Sequence, residues 1–125
     1  MKTEKKKILV AEDEYFLAET IKARLEFMGY EVVCVEDGVE ALKVLKETRI
    51  HLVVMDYMMP LMDGIEATRQ IKMDPKLRNI PIIFLSARAR PEDQEKARKV
   101  GANDYLVKPF ESQALISLIE KWLSS

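Results

Sequence analysis

Polar side chains of types that suit phosphate and divalent cations directly follow four short strand-like runs of this sequence. They are Glu12 and Asp13 after ILVA, Asp56 after LVVM, Ser86 after IIFL and Lys108 after DYLV. Clustered carboxylates raise one another's proton affinity, and a hard divalent cation such as Mg²⁺ relieves that repulsion through oxygen ligands. A hydroxyl and an ammonium facing the cation could complete a cradle for a phosphoryl group. The residue types therefore predict phosphoryl chemistry, provided that the fold brings them together.

Taken alone, most of these residues have a simpler explanation. An acidic residue after a strand often caps the next helix, a lone serine is usually a turn residue, and a lone lysine is usually a surface charge. Asp56 is different, because it ends a continuous apolar run and an ionised carboxylate there needs a partner. A carboxylate can itself accept a phosphoryl group. Neither glycine-rich nucleotide-binding motif occurs in the chain, which argues against bound ATP as the phosphoryl source.

Short β-branched runs alternate with amphipathic stretches along the whole chain. The pattern predicts strands at Ile8–Ala11, Glu31–Val35, Leu52–Met55, Ile80–Leu85 and Asp104–Val107, and helices over 15–28, 38–47, 64–73, about 91–101 and 112–123. Met28 and Val39 are expected in the buried stripes of the first two helices, and Asp63 at the N-cap of the third. Five such units predict a doubly wound parallel sheet with helices on both faces. Ligands of these sheets bind at the carboxyl ends of the strands, where the polar residues lie.

Length and composition describe an ordinary globular domain. The chain has 125 residues, 33% of them charged, and a formal net charge of −1, so we expect one domain and no strongly basic nucleic-acid binder. Its one cysteine, Cys34, cannot form an internal disulfide and fits a reducing cytoplasm. No apolar run approaches the roughly 20 residues of a membrane span. We therefore expect a cytoplasmic protein without a membrane segment.

Four motifs carry a resemblance to a known family. In chain order they are ILVAEDE, VVMDYMMPLMDG, PIIFLSA and GANDYLVKPF. Together they resemble the receiver domain of two-component response regulators, over Ile8 to Leu123. The resemblance implies a flavodoxin-like (βα)5 fold with strand order 2-1-3-4-5. It also implies one stand-alone receiver over residues 1–125, with a core of about 6–123 and no output domain.

The resemblance implies an acceptor and a metal site. Asp56 would take a phosphoryl group from a phosphohistidine of a sensor kinase or phosphotransfer protein. Asp13 would bind Mg²⁺ (or Mn²⁺) directly, Glu12 would act through a water, and the backbone carbonyl of Met58 would be a further ligand. Glu12 departs from the family pattern, in which aspartate is commoner: glutamate keeps the charge but adds a methylene group.

The resemblance also implies a switch. Ser86 and Lys108 would each contact a phosphoryl oxygen, and the Lys108–Pro109 peptide bond would be cis. Tyr105 would turn inward as Ser86 moves, changing the face formed by the fourth helix, fifth strand and fifth helix, which would bind a downstream protein. The implied assembly is a monomer or a weak, phosphorylation-dependent dimer.

Variable positions near the acceptor carry two further hypotheses. Met58 and Arg88, two residues after Asp56 and Ser86, flank the path of a hydrolytic water and could alter the lifetime of the phosphoryl group. Tyr15 and Phe16 open the first helix beside the acidic site. We expect one of them to point outward, where it could contact an incoming phosphotransfer helix.

Three alternatives stay open at this point. An aspartyl-phosphate phosphatase or phosphotransferase would want a general acid or base near Asp56 and a cap over its substrate, and neither is visible. A non-phosphorylatable interaction domain of the same fold would be expected to lack Asp56 or Lys108, and both are present. The chain could also be a fragment of a larger regulator or hybrid kinase. We expect a regulatory binding module rather than a turnover enzyme.

Overall fold

The computed structural model describes residues 5–124 and alternates five strands with five helices. The elements are β1 (Lys7–Ala11), α1 (Tyr15–Phe27), β2 (Glu31–Val35), α2 (Gly38–Glu47), β3 (Leu52–Asp56), α3 (Gly64–Met73), β4 (Ile82–Ser86), α4 (Pro91–Val100), β5 (Asp104–Val107) and α5 (Ser112–Leu123). All strand pairs are parallel, and the sheet order is β2-β1-β3-β4-β5. The predicted doubly wound flavodoxin-like fold is therefore confirmed.

The central strands are apolar because helices cover both faces of the sheet. Every residue of β3 and β4 is buried. Alternate side chains point to opposite faces, so Val53 and Met55 belong to a core under α2, α3 and α4. Leu52 and Val54 belong to a second core under α1 and α5. The sheet is therefore fixed from both sides, which holds the carboxyl ends of its strands in place.

Helix ends follow the local sequence signals. Asp63 caps α3 by accepting a hydrogen bond from the Glu66 N–H at 2.9 Å, as predicted, and Asp37 caps α2 in the same way. α4 begins at Pro91 and ends before Gly101, whose φ of +117° suits glycine. These signals set where each loop at the carboxyl edge of the sheet meets its helix.

Several details differ from the sequence-based expectation. β3 includes Asp56, and β4 begins at Ile82 rather than Ile80, because the Ile80 N–H bonds to the Leu77 carbonyl in a turn. Met28 and Val39 were expected to be buried, which is wrong, since they are 45% and 49% exposed. Met28 lies beyond the last residue of α1 and Val39 lies in the first turn of α2, so neither position is enclosed.

Between residues 5 and 124, none of the helices combines the length and apolar character that crossing a membrane requires.

Candidate functional site

The strand register places the predicted site residues at one edge of the sheet. Ala11 is opposite Met55 in the β1–β3 pair, so the next residues along, Glu12 and Asp56, lie at neighbouring strand ends. Ser86 ends β4, and the Lys108 N–H bonds to the Ser86 carbonyl at 2.8 Å just beyond β5. The parallel sheet thus gathers residues that are far apart in the sequence.

Lys108 joins the two buried carboxylates of the site. Its Nζ donates to Glu12 Oε1 at 2.9 Å and to Asp56 Oδ1 at 3.3 Å. Glu12 is 2% exposed and Asp56 is 5% exposed. The second oxygen of Glu12, Oε2, accepts a hydrogen bond from the Glu14 N–H at 3.0 Å. Because a buried carboxylate without a partner is costly, these contacts are what makes the burial tolerable.

Asp13 completes an acidic cluster. It is exposed, unlike its two neighbours, and its carboxylate, with those of Glu12 and Asp56, offers oxygens that all lie within 4.8 Å of one another. The ammonium of Lys108 contacts two of these three carboxylates, those of Glu12 and Asp56, so the cluster keeps an excess of negative charge. Hard oxygen donors with excess negative charge fit a divalent cation such as Mg²⁺.

The environment of Asp56 shifts its protonation. Burial, reinforced by the nearby charge of Glu12, raises the pKa of Asp56 to about 7, and Lys108 opposes the rise. For Lys108, burial alone would lower the pKa, but the hydrogen bond to Glu12 and the charges of Asp56 and Glu12 raise it overall. Lys108 therefore stays charged at neutral pH, whereas Asp56 lies near its titration midpoint in the metal-free protein.

This shift predicts a pH dependence of stability in the absence of divalent cations. The unfolded chain loses the Asp56 proton near its ordinary pKa of about 4, whereas the folded protein keeps it until about pH 7. The folded state then binds more protons in this window, so the contribution of Asp56 to the unfolding free energy falls as pH rises through it. Urea unfolding in EDTA should show this fall in the wild type and a flatter profile in Asp56→Asn. Equal slopes for the two proteins would contradict the raised pKa.

Ser86 and Tyr105 meet at the backbone of one loop residue, Arg88. Ser86 is 2% exposed, and its Oγ accepts a hydrogen bond from the Arg88 N–H at 2.9 Å. The Tyr105 hydroxyl donates to the Arg88 carbonyl at 2.8 Å, and its ring stacks on Phe84. The loop between β4 and α4 is thus tied both to the site hydroxyl and to the aromatic residue on β5.

The Arg88 side chain contacts an aromatic ring and an acidic residue that do not belong to the acidic cluster. Its guanidinium lies 5.2 Å from the centre of the Tyr57 ring and pairs with Asp93 at 3.5 Å. The position of Arg88 near the site was expected from the sequence, but its contacts with Tyr57 and Asp93 were not. Tyr57, which directly follows Asp56, was the available sequence signal of a cation–π contact, but it does not indicate which cation lies over the ring.

The remaining predicted residues surround the cluster. The Lys108–Pro109 peptide bond is cis. The Met58 side chain is 52% exposed, and the role of its carbonyl as a metal ligand stays a prediction. Both Tyr15 and Phe16 point outward, where only one was expected to. The start of α3 lies so close to β3 that a Cβ at Gly64 would collide with the carbonyl oxygen of Asp56.

A doubly wound sheet with a buried aspartate, an acidic pair and a lysine at its carboxyl edge defines the receiver class of signalling domain. The sequence profile of the response regulator receiver domain matches residues 8–120. The chain belongs to this family, and the resemblance seen in the sequence is confirmed. Receiver domains are the phosphoacceptor modules of two-component response regulators, and histidine kinases are their phosphoryl donors.

Curated relatives include longer regulators. A probable transcriptional regulator, ycf27 of Cyanophora paradoxa, is 40% identical over 123 residues, which are 98% of this chain and 50% of the relative. The transcriptional regulatory protein CrdR of Helicobacter pylori is 38% identical over 119 residues, 95% of this chain and 55% of that protein. The chain spans about half the length of these relatives.

Solved structures agree with the fold over nearly all of the chain. The receiver domain of the sensor histidine kinase PA1611 from Pseudomonas aeruginosa has a TM-score of 0.90 and 36% identity, covering 98% of this chain and all of that one. That structure has a magnesium ion coordinated in its active-site cleft. The chemotaxis protein CheY4 of Vibrio cholerae has a TM-score of 0.91 and 30% identity, covering 96% of this chain and 100% of that one.

Proposed function

We propose that Asp56 is the phosphoacceptor and that it takes its phosphoryl group from a phosphohistidine of a sensor kinase or phosphotransfer protein. The observation that carries this proposal is the pairing of a buried Asp56 carboxylate with the Lys108 ammonium at 3.3 Å. A carboxylate at the end of a central strand, facing a fixed cation, is a nucleophile whose product charge can be stabilised where it forms.

In the proposed step, an oxygen of ionised Asp56 attacks the phosphorus atom. The phosphorus–nitrogen bond breaks, its electron pair returns to the imidazole, and an acyl phosphate forms. Lys108 contacts one phosphoryl oxygen and the Ser86 hydroxyl donates to another. Because the chain is itself the acceptor of the phosphoryl group, we describe the protein as a regulatory module and not as a turnover enzyme.

The acidic cluster is the proposed site of the cation. Asp13, Asp56 and the Met58 carbonyl would hold Mg²⁺ (or Mn²⁺) directly, with Glu12 acting through a water. The bound cation would supply positive charge that offsets both the carboxylates and the phosphoryl oxygens. The oxygen-only donor set and its excess negative charge support this choice, as does the magnesium ion of the PA1611 receiver domain.

Magnesium should stabilise the folded protein through Asp13. Mg²⁺ binds the folded state and relieves carboxylate repulsion, so we expect it to raise the melting temperature of the wild type. Asp13→Ala should remove most of that rise. Glu14→Ala is the matched control, because Glu14 is exposed and contributes no carboxylate to the cluster, and it should keep the full shift. An undiminished shift in Asp13→Ala would argue against this ligand.

The proposed function is tested by covalent labelling. The protein is incubated with acetyl phosphate and Mg²⁺ and examined by intact mass spectrometry. We expect a single added phosphoryl group that is lost at alkaline pH, as acyl phosphates are. Absence of any added mass, with the protein folded, would contradict the proposal.

Met58 and Arg88 should affect how long the phosphoryl group persists. Met58 is half-exposed beside Asp56, whereas the Arg88 guanidinium is turned towards Tyr57 and Asp93. We expect Met58→Asn to speed hydrolysis several-fold by opening the path of the attacking water, and Arg88→Ala to add less. Decay of the labelled species by intact mass measures both, with Arg90→Ala as the control. Unchanged rates in both variants would remove the hypothesis.

The donor is proposed to dock along α1. Phe16, Thr20, Ala23 and Phe27 recur at helical spacing and all are exposed, with Phe16 and Phe27 more than 80% exposed. This outer face of α1, which carries the two exposed phenylalanines, starts beside the acidic site and lies opposite the buried residues of the helix. A donor protein that presents its phosphohistidine to Asp56 must approach close to this face of α1.

Phosphorylation is proposed to change the face formed by α4, β5 and α5. Tyr105 lies on this face and bonds to the loop that also contacts Ser86. A downstream protein would bind there, and we propose a monomer or a weak dimer that depends on phosphorylation. A single receiver domain over residues 1–125 and a cytoplasmic location are part of the same proposal.

A further inference from the structure

The amino end of the sheet, opposite Asp56, carries a groove made of two adjoining cavities. The larger, of about 480 Å³, lies between the end of α2 and the loop before β4. The smaller, of about 300 Å³, lies beside the start of β1 and β2. The two share Arg49 and His51, so we treat them as one surface, the amino-end groove.

The groove is rich in cations that lack carboxylate partners. Its cations are Lys5, Lys7, Lys46, Arg49 and Lys76, against two acidic residues, Glu31 and Glu47. Within the described part of the chain, the side chains of these five cations form no ion pair. The arginines of α3 and α4, Arg69 and Arg98, are by contrast paired with glutamates one turn away. Positive charge is therefore concentrated here although the whole chain carries −1.

The groove also offers hydrogen-bond acceptors and an apolar wall. α2 ends at Glu47, and among residues 5–124 no backbone N–H bonds to the carbonyls of residues 45–47. Leu45, Leu77 and Ile80 line the larger cavity. A ligand that fits must therefore bring negative charge for the cations, N–H donors for the last carbonyls of the helix, and some apolar surface.

We propose that the amino-end groove binds an extended acidic segment of a partner protein. A polypeptide supplies backbone N–H groups, carboxylates and apolar side chains together, whereas a nucleic-acid backbone supplies phosphates with few donors. A membrane surface is flat and cannot enter two cavities. The geometry favours a peptide on both counts.

Binding there would leave the phosphoryl site accessible. The five residues of β3 separate the two ends of the sheet by about 13 Å, since a strand rises about 3.3 Å per residue. The partner would therefore stay bound before and after phosphorylation of Asp56. The groove would act as a constitutive binding site for the partner protein, independent of the proposed switch on α4, β5 and α5.

The test uses a fluorescein-labelled peptide of alternating glutamate and leucine and measures its binding by fluorescence anisotropy. We expect saturable binding that weakens at high salt, because screening reduces attraction between exposed charges. Lys46→Glu combined with Arg49→Glu should weaken binding by at least about tenfold, the loss of two charge contacts. Amide chemical shifts of residues 45–51 and 76–81 should change on titration of the wild type.

The matched control is Lys96→Glu combined with Lys99→Glu, which changes the net charge equally on exposed positions of α4. It should bind the peptide like the wild type. Equal weakening in both double variants would show a response to net charge alone and overturn the proposal. Salt-sensitive binding to vesicles containing phosphatidylserine, lost in the groove variant and without peptide binding, would overturn it in favour of a membrane.

Discussion

Replacing Asp56 with asparagine should abolish covalent labelling by acetyl phosphate. Asparagine keeps the size of the side chain but has no carboxylate oxygen to form an acyl phosphate. We expect the wild type to gain one phosphoryl group and Asp56→Asn to gain none under identical conditions. Glu14→Gln, which changes an exposed acidic residue between β1 and α1, should label like the wild type.

The loss in Asp56→Asn should not come from unfolding. The substitution removes a buried charge whose pKa is already raised by burial and by Glu12, so the variant should be at least as stable as the wild type at about pH 8 in EDTA. Labelling of Asp56→Asn equal to that of the wild type would place the acceptor elsewhere.

Replacing Lys108 with alanine should strongly destabilise the metal-free protein. Lys108 is the cation that both buried carboxylates, Glu12 and Asp56, contact. Removing one partner of a buried ion pair typically costs about 3–5 kcal/mol, because an uncompensated charge remains. Urea unfolding at about pH 8 in EDTA measures this, and the loss should shrink near pH 5, where Asp56 is already protonated and leaves one buried charge fewer without a partner.

Lys121→Ala provides the comparison for Lys108. Lys121 pairs with Asp104 at 3.4 Å, but its side chain is 62% exposed, so its loss should cost less than about 1 kcal/mol. A similar small loss in Lys108→Ala would mean that water or a shift of Glu12 compensates the site. That outcome would contradict the account of Lys108 as the charge that makes the burial tolerable.

The sequence predicts the fold well because its strongest signals are local. Runs such as LVVM are apolar throughout, which only a strand covered on both faces requires, and Asp63 caps a helix where its position suggests. The predicted ends of the strands were less accurate. Ile80 continues an apolar run but turns back to Leu77, a hydrogen bond that no periodicity reveals. The predicted burial of Met28 and Val39 was wrong for a related reason. An apolar stripe indicates which face of a helix packs against the core, but not at which residue that packing ends.

The composition of the site was predictable, but its internal contacts were not. Strand ends of a parallel sheet converge, so Asp13, Asp56 and Lys108 could be placed at one edge from the sequence. Which carboxylate Lys108 approaches more closely depends on side-chain geometry, and the answer is Glu12. The contact of Arg88 with Tyr57 was missed because a long flexible side chain can turn in several directions.

The collision that any Cβ at position 64 would cause has a mechanical consequence. The first turn of α3 lies directly against the backbone of the acceptor, so that side of the site has no room to yield. Residues 87–90, between β4 and α4, are all exposed and form the yielding side. A bulky anion added at Asp56 would therefore find no room on the side of α3, whereas the exposed loop before α4 offers a direction in which its surroundings can move.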